Sequence, residues 1–307
     1  MTYELPKSAP QWHDQPRVLL LGADKASIQK TVERLRHYIN QHAIVVGEDF
    51  AYESDVRSAV DDQRADFAIV FGGDGSILRS AKWLGSHQIP VLGVNLGKLG
   101  FLADVPPHEF EQIFPSICAG QCKLVDHLMF RCQVFQKDQC IHDVLGLNET
   151  TIQAGAPFSM LDIDLFVDQE WVTSYSCDGL IVSTPVGSTA HSLSAGGPIL
   201  RKNLQAFVIS AISPHTLTVR PVVDSADRTY EMRVQRPNRD TTVVIDGQPV
   251  HALQAGDKVR VIKADSQFQL IEVPDRGYYR TLREKLGWGG RIRKMNKRRT
   301  DDDSSSS

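Results

Sequence analysis

FAIVFGGDGSILRSAKWL, residues 67 to 84, decides the fold of the first third of this 307-residue chain. Phe67 to Phe71 is a short apolar run of the length and composition of a buried strand. It passes straight into Gly72-Gly73-Asp74-Gly75-Ser76, and helical sequence follows to Leu84. A glycine-rich turn between a strand end and a helix start offers unpaired N–H groups and a positive dipole end to an anion. On either side the same rhythm continues. Arg17 to Leu21 is β-like, Ser27 to Asn40 has helical apolar spacing at Ile28, Val32, Leu35 and Ile39, and Ala43–Val46 and Pro90–Val94 are further short strands. Strands alternating with helices predict a parallel sheet with crossover helices.

Within the turn, Asp74 is the unexpected residue. A carboxylate repels phosphate, so a simple phosphate cradle has no use for it. It makes sense beside phosphate if it holds a metal or accepts a proton from an attacking hydroxyl. The plain alternative is a tight turn in which aspartate is merely tolerated. The chain has neither the string GxxxxGK[ST] nor a GxGxxG after its first strand, so the two common nucleotide signatures are excluded.

From about Gly120 the texture changes. Leu161, Ile163, Leu165 and Val167 alternate with Asp162, Asp164, Phe166 and Asp168, and β-like runs follow at 171–175, 206–212, 229–235, 241–245 and 258–262. Regularly spaced short strands predict a β-sandwich-like second domain. Thr281-Leu-Arg-Glu284 reads as a capping box opening a C-terminal helix. Between these lies Asp178 to Leu200, DGLIVSTPVGSTAHSLSAGGPIL: a strand at 180–183, a loop of small hydroxyl and glycine residues, then a helix-compatible run ending at Gly196-Gly197-Pro198. Small residues let a ligand approach the backbone, and hydroxyls supply donors.

Composition narrows the class. Hydrophobic residues make up 41% and charged residues 23%, with a net charge of −3, which describes an ordinary globular protein without the basic field of a nucleic-acid or membrane binder. No apolar run is long enough to span a bilayer, and the N-terminus lacks a signal pattern, so a cytoplasmic protein is expected. Cys118, Cys122, Cys132, Cys140 and Cys177 lack paired zinc spacing and read as reduced thiols; Cys118 and Cys122 could share a helix face, with packing as their role. The tail holds six basic residues between Arg291 and Thr300, then three aspartates and four serines, and reads as a solvated, disordered end at 298–307.

Taken together, Gly72–Ser76, the pair Asn148-Glu149 and the 178–200 segment resemble the NAD kinases, in that order along the chain. Asn95–Phe101, Pro214-His215-Thr-Leu217 with Arg220-Pro221, and Asp246-Gly247-Gln248 match as well, so the resemblance spans roughly Val18 to Trp288. GGDG alone is shared with lipid kinases related to diacylglycerol kinase; the combination is far more specific. The resemblance implies an α/β plus all-β chain: a Rossmann-like parallel-sheet domain at 1–120, a β-rich NAD-binding domain at 121–280, and a helix at 281–297 packed back on the first. It implies transfer of a phosphoryl group from ATP or inorganic polyphosphate to the 2′-hydroxyl of the adenosine ribose of NAD. Magnesium would be held mainly through phosphates, with no protein metal ligands, and a homotetramer or homodimer is implied.

By the same resemblance Asp74 is the general base. Gly72, Gly73, Gly75, Ser76 and Arg79 face the ATP phosphates. Asp74, Gly75, Phe101, Asn148, Glu149, Asp178, Thr189, Ala190, His191, Ser194, His215 and Gln248 contact NAD. Without the family, Asn148-Glu149 is a solvent-facing turn, Asp246-Gly247 a hairpin turn and Phe101 a core residue. Three positions depart from the family pattern: His191 stands where tyrosine is usual, Val186 where threonine is common, and Ser176-Cys177 where many bacterial members have arginine and a small residue. The rival readings are a lipid kinase, which predicts an apolar acyl groove, and a non-catalytic NADP-binding sensor, which predicts a degraded GGDG.

Overall fold

The structure, a computed structural model, describes residues 10–53, 58–61, 64–97, 100–156, 160–273 and 278–287. The tail at 298–307, and residues 288–297 of the expected C-terminal helix, lie outside the described residues. The first part comprises β1 (Arg17–Gly22), α1 (Ala26–His42), β2 (Ile44–Asp49), α2 (Ser58–Asp61), β3 (Phe67–Gly72), α3 (Asp74–Leu84), β4 (Val91–Asn95) and α4 (Pro107–Cys118). Then come β5 (Lys123–Gln136), β6 (Gln139–Gly146), β7 (Glu149–Gln153), β8 (Leu161–Val167), β9 (Glu170–Cys177) and β10 (Gly179–Ser183). After a single 3-10 turn at Gly187–Thr189 follow α5 (His191–Ser194), β11 (Ala206–Ile212), β12 (Val222–Ser225), β13 (Tyr230–Val234), β14 (Thr242–Ile245), β15 (Gln248–Ala252), β16 (Lys258–Glu272) and α6 (Tyr278–Leu286).

β2, β1, β3 and β4 pair in parallel, in that order. Both faces of these strands are covered, as the near-continuous apolar sequences of β1 and β3 require. Val18, Leu20, Phe67, Ile69 and Phe71 point toward α1 and α4, burying Leu35, Ile39, Phe110 and Phe114. Leu19, Leu21, Ala68 and Val70 point the other way, against Ile77, Ala81 and Leu84 of α3. This is the α/β half expected from sequence.

The β-rich half is a sandwich, and it is not separate from the first sheet. β16 is far longer than the expected 258–262 and pairs with β13 at its start, with β5 along its length, and with β4 in parallel at Leu270 and Val91. One ten-stranded sheet therefore runs through both halves, with a second sheet in the order β12-β11-β10-β7-β14-β15 packed on its antiparallel part. Leu161, Ile163, Leu165, Leu180, Val182, Phe207, Ile209, Tyr230 and Met232 fill the space between them. The alternation at 161–167 had marked this inward face.

Three local expectations need correction. The capping box does not open the last helix. α6 starts at Tyr278, so Thr281 is interior and Glu284 bonds Arg280 at i, i+4 instead of a helix N-terminus. The helical run after Thr189 is only the four residues of α5, closed when the Gly197 N–H donates to the Ser192 carbonyl. Cys118 and Cys122 do not share a helix face, because α4 ends at Cys118; both pack against the core, and burial pushes their thiols up to about 12 and about 11.

Candidate functional site

β3 ends at Gly72, whose φ of 150° and closeness to the Ser76 side chain leave no room for a Cβ. Gly73 and Gly75 differ: a Cβ on either would meet nothing within 4 Å. Packing does not demand glycine there. Open space in front of bare backbone at a helix N-terminus is what close approach of an anionic ligand requires.

Asp74 is the first residue of α3, and its carboxylate is held by three backbone donors of one loop. Oδ2 accepts from Phe101 N at 2.8 Å, and Oδ1 from Leu102 N at 2.9 Å and Ala103 N at 3.1 Å. The loop closes this tightly because position 100 is glycine, where any Cβ would strike the Asp74 carboxylate. Two carboxylate oxygens offer about four acceptor positions. Three are taken, and the remaining one is on Oδ2. Lys285 of α6 approaches that same oxygen, at 3.7 Å, while its ammonium lies 4.2 Å from the centre of the Phe101 ring. The Phe101 ring is half-buried, outside the core clusters. Its carbonyl accepts from Lys202 Nζ at 2.6 Å. Arg79 is exposed and packed over the Tyr52 ring, donating to the Ala51 carbonyl.

Asn148 and Glu149 are not a solvent-facing turn. Their backbone N–H groups, with that of Leu147, all donate to the carboxylate of Asp246, at 2.7 to 3.0 Å. Asp246 does turn the β14–β15 hairpin, with φ of 48° followed by 76° at Gly247, as read from sequence. It also fixes the Asn148-Glu149 pair, which the sequence did not reveal. The only available signal was its match to the family pattern. Glu149 is buried with Oε2 unpartnered; burial, and next the charge of Asp246, push its carboxyl up to about 8. Burial therefore favours the neutral carboxylic acid at Glu149, which can donate as well as accept.

The 178–202 segment docks on Asn148. Its carbonyl accepts from Thr184 N and Ser183 Oγ and presses against Gly187, where a Cβ would collide with it. Thr184 Oγ1 donates to the Leu147 carbonyl, Ser188 Oγ to the Pro185 carbonyl, and Ser192 Oγ meets Ser210 Oγ. Most hydroxyls of the segment are thus buried and spent on holding it. Thr189, Ala190, His191 and Ser194 are at least partly accessible, although Thr189 Oγ1 donates to the Val186 carbonyl at 3.1 Å. Val186 lies in the same apolar cluster as Leu147, Ile77, Leu102 and Ala103, so the valine in place of threonine packs the segment onto the Asp74 loop.

The structure therefore joins Asp74, Phe101, Asn148, Glu149 and the 184–194 loop through shared partners. Asp178 and His215 are not among them. They face each other, His215 Nε2 to Asp178 Oδ1 at 3.9 Å, at the opposite end of β10 from Ser183, about 15 Å along the strand. Gln248 is exposed at the start of β15, beside the turn that holds Asn148. Among the described residues no three His, Cys, Asp or Glu side chains converge as a metal site.

Comparison with known proteins identifies the family. Residues 17–122 match the ATP-NAD kinase N-terminal domain and residues 147–273 the ATP-NAD kinase C-terminal domain. An NAD kinase of Rhodopirellula baltica is 51% identical over 278 residues, covering 90% of this chain and 88% of that protein. An NAD kinase of Cellvibrio japonicus is 37% identical over 86% of this chain and 93% of its own. Among solved structures, an NAD kinase from Archaeoglobus fulgidus in complex with ATP superposes with a TM-score of 0.70 at 26% identity, over 89% of this chain and all of the other. Yeast NADH kinase complexed with NADH superposes with a TM-score of 0.79 at 22% identity, over 94% and 90%, a likeness of fold. With the two domain models together matching most of the chain in order, and a relative 51% identical over 90% of it, the chain belongs to the NAD kinase family.

Proposed function

We propose that Asp74 is the general base of this NAD kinase, taking the proton of the adenosine ribose 2′-hydroxyl on Oδ2 as the hydroxyl oxygen attacks the terminal phosphorus of the donor. The observation that carries this is the three-donor grip of the Phe101–Ala103 loop, which fixes the carboxylate and leaves one acceptor position on Oδ2. Orientation of that kind supplies much of the rate in phosphoryl transfer. The open backbone at Gly73 and Gly75, with Gly72, Ser76 and the exposed Arg79 beside it, receives the donor phosphates. Magnesium, held mainly through the donor phosphates, would neutralise charge developing there.

Asn148 and the neutral Glu149 hydrogen-bond the adenosine end of NAD, and Thr189, Ala190, His191 and Ser194 line the same side. Phe101 packs against the dinucleotide. Asp178 and His215 serve the nicotinamide and diphosphate end, with Gln248 at the rim. We assign residues 1–120 to the donor domain, with the C-terminal helix returning to it, and 121–280 to the NAD-binding domain. The enzyme is proposed to be cytoplasmic. Among the described residues no helix is long and apolar enough to cross a membrane. It is proposed to work as a homodimer or homotetramer, supported by exposed Trp171, Val172, Leu217, Val222 and Val223 on or near the edge strands β9 and β12. Incubating the protein with magnesium, NAD or NADH, and ATP or polyphosphate, and reading NADP(H), tests the donor and acceptor assignment. No NADP(H) with any pair would refute it.

A further inference from the structure

Lys285 is a charged group inside the site that neither the glycine turn nor the dinucleotide loop accounts for. α6 carries it there: Leu282 is buried, Tyr279 lies under the Arg201 guanidinium at 5.6 Å, and Lys285 is delivered between the Phe101 ring and Asp74 Oδ2. Asp74 does not need it as an anchor, since three N–H groups already hold the carboxylate. A partly exposed ion pair also adds little to stability. Lys202 stands behind the same loop, its Nζ on the Phe101 carbonyl. Burial holds that ammonium below the ordinary lysine range, against the opposing pull of Glu272, Asp104 and Asp74, and Lys285 is near enough to lower it further.

Lys285 therefore lies beside Asp74 and the Phe101 ring, with the cation of Lys202 near enough to be felt. The Oδ2 position that Lys285 faces is also the one the attacking hydroxyl must reach. An anionic phosphoryl donor brought beside the Asp74 carboxylate meets electrostatic repulsion, which a neighbouring cation offsets. A lysine stem can carry its ammonium a few ångströms from the carboxylate to a phosphoryl oxygen.

We propose that Lys285, presented by the C-terminal helix, pairs with Asp74 in the empty enzyme and shifts to the transferred phosphoryl group during the reaction. The proposal rests on the assignment of Asp74 as base. In the step, the 2′-oxygen forms its bond to the terminal phosphorus as the bridging P–O bond breaks and ADP leaves. The hydroxyl proton passes to Asp74, and Lys285 keeps its protons throughout. Lys202 holds the Phe101 carbonyl and so acts as a positioning residue for the loop.

The test compares K285M, K285R and D74N with the wild type, full-length, in steady-state kinetics with ATP and NAD and in thermal melts. K285M is expected to lower kcat by about a hundredfold to a thousandfold, the range for one lost electrostatic stabiliser. KM for NAD and the melting temperature stay close to wild type, and K285R recovers most of kcat. K285M at wild-type kcat, with D74N inactive, overturns the Lys285 proposal alone. A loss in K285M that appears in melting temperature and is shared by K285R also overturns it, since packing would then be the role. D74N active while K285M fails overturns the base assignment and leaves Lys285 as a charge-stabilising residue.

Discussion

Glu149 shows how burial sets chemistry at a single residue. Its carboxyl is pushed up to about 8 in the folded protein, against an ordinary 4.5 in the unfolded chain. A carboxyl raised on folding contributes stability that is full below its unfolded value and is lost as pH rises through the folded one. Stability should therefore decline from about pH 5 to pH 8, and E149Q should melt above the wild type at pH 9 while the two coincide near pH 4. Equal melting at pH 9 would show that Glu149 is not buried in its neutral form. Asp246 acts on the same pair through the backbone. D246A leaves three buried N–H groups without their acceptor, at a cost of about 3 kcal/mol or more. A fall in melting temperature with a rise in KM for NAD checks this.

At the scale of elements, the glycines separate packing from ligand approach. Gly187 stands against the Asn148 carbonyl, so G187A should lose about 2–3 kcal/mol and displace the 184–194 loop. Gly73 has open space and ordinary extended backbone, so G73A should melt within about 2 °C of the wild type. Its kcat with ATP should still fall, because a methyl would stand where the donor approaches. Thermal melts and kinetics on the two variants separate the roles, and wild-type kcat in G73A would remove Gly73 from the donor site.

Much of this was legible in sequence because strand, glycine turn and helix follow one another without interruption at 67–84. Alternation at 161–167 gave the inward face of the sandwich for the same reason of local period. What stayed hidden depends on distant partners. The Asp246 grip lies 97 to 99 residues from the N–H groups it holds, and Lys285 reaches Asp74 from the far end of the chain. The buried hydroxyls of 183–192 looked available because spacing does not say which are consumed by neighbouring carbonyls. Thr281 looked like a cap because its sequence box was intact, although the helix had already begun.

For the whole molecule, β16 is the joint. It carries the ten-stranded sheet from the sandwich to β4, so the glycine turn after β3 and the 184–194 loop after β10 belong to one body. The cluster of Ile77, Leu102, Ala103, Leu147 and Val186 closes the seam between them. The exposed apolar side chains beside β9 and β12 predict self-association. Light scattering should give two or four times the mass of one chain, and W171E/L217E should lower it; a wild-type monomer would contradict this.

The account stands on Asp74, and D74N tests it most directly. NAD affinity by calorimetry should stay within a few-fold of the wild type, because the dinucleotide is held mainly elsewhere. NADP formation with magnesium and ATP should fall by about a thousandfold or more, within the range for a lost general base in an otherwise intact site. NADP produced by D74N at the wild-type rate would contradict the assignment.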